Sequence, residues 1–256
     1  MAERPSGPAE FNRLWDTISA LPGWLPYPDA YLFWLLNTFQ KGESVCGNIL
    51  EIGVFKGQSA ALLGHLLAEG EQLEVCDLFG QVAPTPENAQ ENEACYPNLD
   101  RTAFEDNYRS VHADLPKVHP ISSNELAGRL PPQSFRMIHV DGSHLYEAVR
   151  DDVRLSRDKL AGRGIVVLDD WCHSDYPEVA AAIWDEVSVE ALMPLITTDQ
   201  KMYATWPESW SDDALVRLFD HIGSWRDFDA SSHRFSTCSF IRLRLKGWTS
   251  TDSRCL

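Results

Sequence analysis

Between residues 45 and 190 one pattern recurs: a short, mainly apolar run, a turn carrying glycine or aspartate, then a longer amphipathic stretch. "NILEIGV" (48–54) leads into "SAALLGHLLAEG" (59–70), and "QLEVCDLF" (72–79) follows. After a polar stretch come "RTAFEDNYRSV" (101–111) and the short "VHPISS" (118–123). "FRMIHVDG" (135–142) precedes "LYEAVRDDVRLSRDKLAGRG" (145–164), and "IVVLDDW" (165–171) precedes "YPEVAAAIWDEV" (176–187). Apolar runs of this length read as strands buried on both faces, and the stretches between them as helices. A parallel connection needs about a dozen residues or more, which each helical stretch supplies. The expected fold is α/β, a doubly wound and mostly parallel sheet with helices on both faces.

The flanks differ. Residues 11–40 read as helical, with Pro28 and Asp29 opening the apolar helix "PDAYLFWLLNTF". Beyond 190, "LMPLITTDQKMYATW" reads as a strand or hairpin, "SDDALVRLFDHIGSW" as a helix and "TCSFIRLRLKG" as a late strand. That order fits an antiparallel edge on the parallel sheet. The expected organisation is a helical cap over 1–44, one main domain over 45–248 and a disordered tail over 249–256. Residues 80–98 ("APTPENAQENEACYP" and neighbours) read as a long loop, and loops of that length often serve as lids.

Bulk properties narrow the function. A formal net charge of −16 argues against nucleic acid or an anionic membrane as the main partner. No apolar run approaches the roughly 18 residues of a spanning helix. The start "MAERPSGPAEF" has no signal-peptide core and reads as a disordered lead, so a cytoplasmic setting is expected. The 6 cysteines are scattered without a C-x-x-C pair, so neither a zinc framework nor a disulfide scaffold is expected.

Open parallel sheets bind ligands beyond the carboxyl ends of their strands. The first strand delivers Glu51, Gly53, Gly57 and Ser59 there, the second Asp77, and the third Ser122 and Ser123. The fourth delivers Asp141, Ser143 and His144, and the fifth Asp169, Asp170 and Trp171. A dinucleotide site needs G-x-G-x-x-G so that the backbone can approach a pyrophosphate. Here the spacing is Gly53-x-x-x-Gly57, flanked by Lys56 and Gln58. Asp77 is placed to accept from two ribose hydroxyls. Together these favour a nucleoside ligand without a pyrophosphate, of which S-adenosylmethionine is the commonest. The residues alone leave another reading open, in which the glycines only form a turn and Asp77 only caps it.

"ILEIGVFKGQSA", "VCDLF", "MIHVDGSHLYEAVRDDV" and "GIVVLDDW" together resemble class I S-adenosylmethionine-dependent methyltransferases, within them the metal-assisted group of macrocin-type sugar O-methyltransferases. The resemblance spans roughly 45–190. It implies a Rossmann-like sheet of seven strands. It also implies cofactor contacts from Glu51, Gly53, Val54, Phe55, Gly57, Ser59, Asp77, Leu78, Ser122, Ser123, Asp141 and His144. It further implies Mg²⁺, or another divalent cation, on Asp141, Asp169 and Asp170. Three carboxylates from neighbouring strand ends suit such a hard cation. The competing reading has one aspartate meeting cofactor while the pair forms a turn.

One departure matters. Many relatives carry "DGD" where this chain has "DGS", so Ser143 removes a carboxylate base. His144 and His173 are then the expected proton acceptors, with Asp141 beside them. A packing or capping role for His144 competes with this. Trp171 is expected to wall the pocket, and Tyr27, Tyr31 and Trp34 to line it or pack the core. The expected reaction is metal-assisted O-methylation of a small-molecule hydroxyl on a sugar, phenol or other natural product. Self-association stays open. The competing readings are a metal-independent N- or C-methyltransferase, a nicotinamide-dependent oxidoreductase, and a non-catalytic nucleoside-binding relative.

Overall fold

The computed structural model describes residues 8–248. The expected tail at 249–256, with Cys255, and residues 1–7 of the expected lead lie outside the described residues. Residues 9–11 of that lead are helical, and Phe11 is fully buried.

Two helices come first, α1 (Ala9–Ile18) and α2 (Tyr27–Gly42). They are followed by β1 (Asn48–Ile52), α3 (Gln58–Leu66), β2 (Leu73–Cys76), α4 (Pro86–Cys95), α5 (Arg101–Arg109) and β3 (Lys117–His119). Then come β4 (Phe135–Val140), α6 (Tyr146–Lys159), β5 (Leu160–Leu168) and α7 (Pro177–Val189). The last elements are β6 (Met193–Thr197), β7 (Met202–Thr205), α8 (Asp212–Gly223), β8 (Phe228–Phe235) and β9 (Cys238–Leu245).

The strands form one 9-stranded sheet in the order β3-β2-β1-β4-β5-β7-β6-β9-β8. The expected α/β class and parallel core hold, since β3, β2, β1, β4 and β5 all run parallel. The strand count differs from seven because β8 and β9 form a hairpin that extends the sheet past β6. The edge strand β8 is antiparallel to β9, as expected, and a second antiparallel strand lies inside the sheet. β7 lies between β5 and β6, antiparallel to both. This places the β6–β7 turn beside the carboxyl end of β5.

Strand alternation splits the core in two. Ile49, Val75, Met137, Val167 and Tyr203 face α1, α2, α3 and α8, while Leu50, Ile138, Val166, Leu168 and Ala204 face α6 and α7. The fully buried Arg136 ties the first layer to the sheet. Its Nε and Nη2 donate to the two oxygens of Glu71 at 2.8 Å each, and Nη1 donates to Gln40 Oε1 at 2.8 Å.

Two boundaries depart from the sequence reading. α6 ends at Lys159 rather than near Gly164, because Leu160 already pairs with Phe135 and the next residues form an irregularity in the ladder. The 80–98 segment is not simply a loop. Thr85 caps a helix there by accepting from Asn88 N at 3.2 Å, with Pro86 at its first position. No residue of α4 is buried, so nothing in its hydrophobic pattern announces a helix.

Candidate active site

Register decides which side chains meet. Val75, Glu51, His139, Val167 and Tyr203 lie side by side across β2, β1, β4, β5 and β7. One two-residue step toward the carboxyl edge, the row becomes Asp77, Gly53, Asp141, Asp169 and Lys201. The backbone ladder continues through it, with Gly53 N donating to Cys76 O at 2.8 Å, Asp141 N to Ile52 O at 2.8 Å and Asp169 N to Val140 O at 3.0 Å. Side chains two apart on a strand share a face, so this row stands above the buried polar pair Glu51 and His139.

A cavity of about 880 Å³ opens over the row. It is bordered by Gly53, Val54, Phe55, Ser59, Asp77, Leu78, Ser122, Ser123, Asp141, His144, Asp169, Asp170 and His173. Two of the expected cofactor contacts are absent from its wall, as is Trp171. Glu51 is fully buried beneath the row, where its Oε1 meets His139 Nδ1 at 2.8 Å. Gly57 faces Phe104, which a Cβ there would meet at 2.9 Å, and its φ of +91° lets the chain turn into α3. Of the three aromatic residues named from the N-terminal helix, Tyr27 borders the cavity. Tyr31 instead stacks on Phe11 and donates to Asp227 Oδ2 at 3.0 Å, and Trp34 packs against the core.

At one end Asp77 organises the first loop. Its Oδ2 accepts from Val54 N at 2.9 Å and Phe55 N at 3.1 Å, and its Oδ1 accepts from Phe79 N at 2.7 Å. Burial raises its pKa, and these three amide donors oppose the rise. Gly53 sits against the next strand, where a Cβ would lie 1.8 Å from Asp141 O. Gln58 closes the end, accepting from Leu25 N at 2.9 Å and donating to Leu21 O at 3.0 Å.

At the other end the expected carboxylate trio divides. Asp141 and Asp169 stay together. Asp170, with φ +53°, turns to His144, whose Nε2 lies 3.1 Å from Asp170 Oδ2. The Nδ1 of His144 lies 2.8 Å from Glu91 Oε1, and its backbone N donates to the same oxygen at 2.6 Å. Burial lowers the pKa of His144, but the hydrogen bonds to Asp170 and Glu91 outweigh it and push it up to about 10. Near neutral pH the ring is an imidazolium donating from both nitrogens, and no lone pair is left to take a proton. The expectation of His144 as base is corrected on that ground. Glu91, on α4, also accepts from Ser143 Oγ at 2.7 Å. His173 remains on the cavity wall, stacked on Tyr176, with Nδ1 accepting from Asp175 N at 3.2 Å. Trp171 borders α7 and donates from Nε1 to Thr198 O at 3.2 Å.

Lys201 is the residue the sequence did not disclose. It is 1% exposed. Its Nζ lies 2.5 Å from Asp169 Oδ2 and 3.0 Å from His139 Nε2. An ammonium only donates, so His139 Nε2 accepts and its Nδ1–H donates to Glu51. The pKa of His139 is lowered by burial and by Lys201, in keeping with a neutral ring. Burial raises Asp169, but Lys201 and His139 outweigh it and hold the carboxyl below its usual value. Asp141 is driven the other way, well above the carboxylate range, by burial and by the Asp169 charge. A third of its side chain is exposed toward the cavity. In sequence, a lysine within "TTDQKMY" reads as an exposed turn residue, and no local signal marks it as buried.

The cavity lies over the first βα loop with paired carboxylates at the next strand ends, the place where open α/β sheets bind ligands. Residues 50–171 match the family model described as a methyltransferase domain. By that match, this region is similar to a methyltransferase domain. Among solved structures, the O-methyltransferase NovP is similar over 66% of this chain and 76% of its own, at 19% identity and a TM-score of 0.55, a likeness of fold. CalS11, a TDP-rhamnose 3'-O-methyltransferase of calicheamicin biosynthesis, aligns at 17% identity over 79% of this chain and 96% of its own, with a TM-score of 0.47. No curated protein matches the chain by sequence. Among the described residues, no helix is long and apolar enough to cross a membrane.

Proposed function

We propose that this chain moves the sulfonium methyl of S-adenosylmethionine to a hydroxyl of a small-molecule acceptor. One observation carries the reading. The Gly53 loop and Asp141 are in backbone contact, so the donor end of the cavity and a partly exposed carboxylate share one wall. The Gly53–Phe55 loop, Ser59, Leu78 and the Ser122–Ser123 turn hold the cofactor. Asp77 acts mainly by fixing the loop, with one Oδ1 lone pair left for a ribose hydroxyl. Trp24 stacks on Phe55 at 4.3 Å, and with Tyr96 makes an aromatic wall for the acceptor.

The oxygen of the acceptor attacks the methyl carbon in line, the C–S bond breaks and its electron pair stays on sulfur. The hydroxyl proton passes to Asp141. Alignment of the reacting atoms supplies much of the acceleration. A neutral amine needs no base before attack, whereas a hydroxyl does, and the Asp141 carboxyl, a third exposed to the cavity, is placed to serve one.

The divalent cation expected on Asp141, Asp169 and Asp170 does not fit these residues. Asp170 is engaged by His144, and the compact group is instead His139, Asp141 and Asp169. The Lys201 ammonium, 2.5 Å from Asp169 Oδ2 and 3.0 Å from His139 Nε2, already brings a positive charge to that group. No step here runs through a metal.

The test is release of S-adenosylhomocysteine with hydroxyl and amine acceptors drawn from sugars, sugar nucleotides and phenols. Turnover with a hydroxyl acceptor is expected, and Asp141→Asn should lower kcat at least 100-fold while leaving S-adenosylhomocysteine affinity unchanged. Turnover confined to amines, or full activity in Asp141→Asn, would overturn the reading.

A further inference from the structure

We propose that Lys201 is the resident counter-ion of this site, a built-in ammonium that replaces a divalent cation in holding the Asp141–Asp169 pair. The proposal rests on the methyltransferase reading for its purpose, but its geometry stands independently. Lys201 has a carboxylate oxygen at 2.5 Å and an imidazole nitrogen at 3.0 Å, and it is buried. Buried lysines are rare unless paired, and this one has two partners aligned by register rather than by side-chain chance.

Its placement is reinforced from behind. Thr198 Oγ1 accepts from Lys201 N at 2.8 Å and from Gln200 N at 3.2 Å, and Thr198 N donates to Lys201 O at 2.9 Å. The same hydroxyl donates to Asp29 Oδ1 at 2.8 Å, and Tyr203 OH donates to that oxygen at 2.8 Å. Asp29 is buried on α2. The helical cap therefore fixes the β6–β7 turn, and the turn fixes the ammonium. On its far side, His139 passes the contact to Glu51, whose other oxygen Oε2 is buried without a partner among the described residues. Lys201 is thus a positioning residue. It holds Asp169 in place through the 2.5 Å contact, and Asp169 lies beside Asp141.

The test uses Mn²⁺ as probe, followed by electron paramagnetic resonance, on the full chain with S-adenosylhomocysteine present. Wild type and Lys201→Arg should bind Mn²⁺ no tighter than about 1 mM, because the cation already occupies the group. Lys201→Met should gain at least tenfold tighter Mn²⁺ binding, and adding Asp169→Asn should abolish the gain. Tight Mn²⁺ binding by wild type that Asp169→Asn removes would overturn the proposal. So would a folded Lys201→Met, checked by circular dichroism, that gains nothing. Calorimetric titration of wild type with S-adenosylhomocysteine in chelator separates the two readings. Failure there sinks the methyltransferase assignment and leaves the Mn²⁺ result standing.

Discussion

Glu91 and His144 are joined twice, the Glu91 Oε1 atom lying 2.6 Å from the backbone nitrogen of His144 and 2.8 Å from its ring Nδ1. A helix with no buried residue is thereby bound to the loop that leaves β4. Asn88 adds to the clasp, donating from Nδ2 to Ser143 Oγ at 3.0 Å. Since α4 borders the cavity, this clasp holds one of its walls.

Glu91→Gln should loosen α4. The amide still accepts through its one oxygen, but its nitrogen cannot accept and it no longer offers charge to the imidazolium. Limited proteolysis within 80–98 should accelerate several-fold relative to wild type, with little change in global unfolding, because local opening and global unfolding differ in free energy. Unchanged cleavage kinetics would mean α4 is held by something other than this clasp.

His144 makes stability depend on pH in a defined direction. Its folded pKa of about 10 exceeds the ordinary 6.5. The folded state therefore binds the proton more tightly than the unfolded one. The stabilisation is complete below about 6.5 and declines as pH rises, vanishing above about 10. Thermal melts across that window should show Tm falling with pH, and the slope should flatten in His144→Gln. Imidazole resonances that titrate near neutrality would contradict the clamp.

Gly53→Ala should cripple the donor end. The added Cβ would meet Asp141 O at 1.8 Å, and φ of +80° is unfavourable for alanine. Asp77→Asn tests the same loop more gently, since the amide nitrogen cannot accept from a backbone N–H. Calorimetry should show S-adenosylhomocysteine affinity falling at least tenfold in Asp77→Asn, and no measurable binding in Gly53→Ala.

Arg136→Met should destabilise the fold without touching the cavity. It leaves Glu71 charged, 8% exposed and without its bidentate partner. Breaking one side of such a pair costs about 3–5 kcal/mol. Urea unfolding should show that loss, while S-adenosylhomocysteine affinity of the folded fraction stays at the wild-type level.

The order of elements from β1 to α7 was legible in sequence because each strand is a buried apolar run and each helix an amphipathic one, both local properties of the chain. The segment of β6 and β7 was legible for the same reason, as a strand or a hairpin. α4 was not, since it is polar on every side, and neither was β8, where exposed residues follow Phe228 along the strand. Strand-end positions also follow from sequence, which is why Gly53, Asp77, Asp141 and Asp169 were found. Their partners do not. His144 is locally a free imidazole after "DGS", and becomes an imidazolium only because α4 brings Glu91 and a left-handed turn brings Asp170.

By itself, then, the sequence determined the parallel α/β core, the loop at Gly53 and the acidic edge, because periodicity and glycine chemistry act over a few residues. Tertiary structure alone decided which cation the carboxylates face. Insertion of β7 beside β5 pairs Lys201 with Asp169 across 32 positions of chain. A contact of that separation is set by sheet order and register, and leaves no mark in the neighbouring residues.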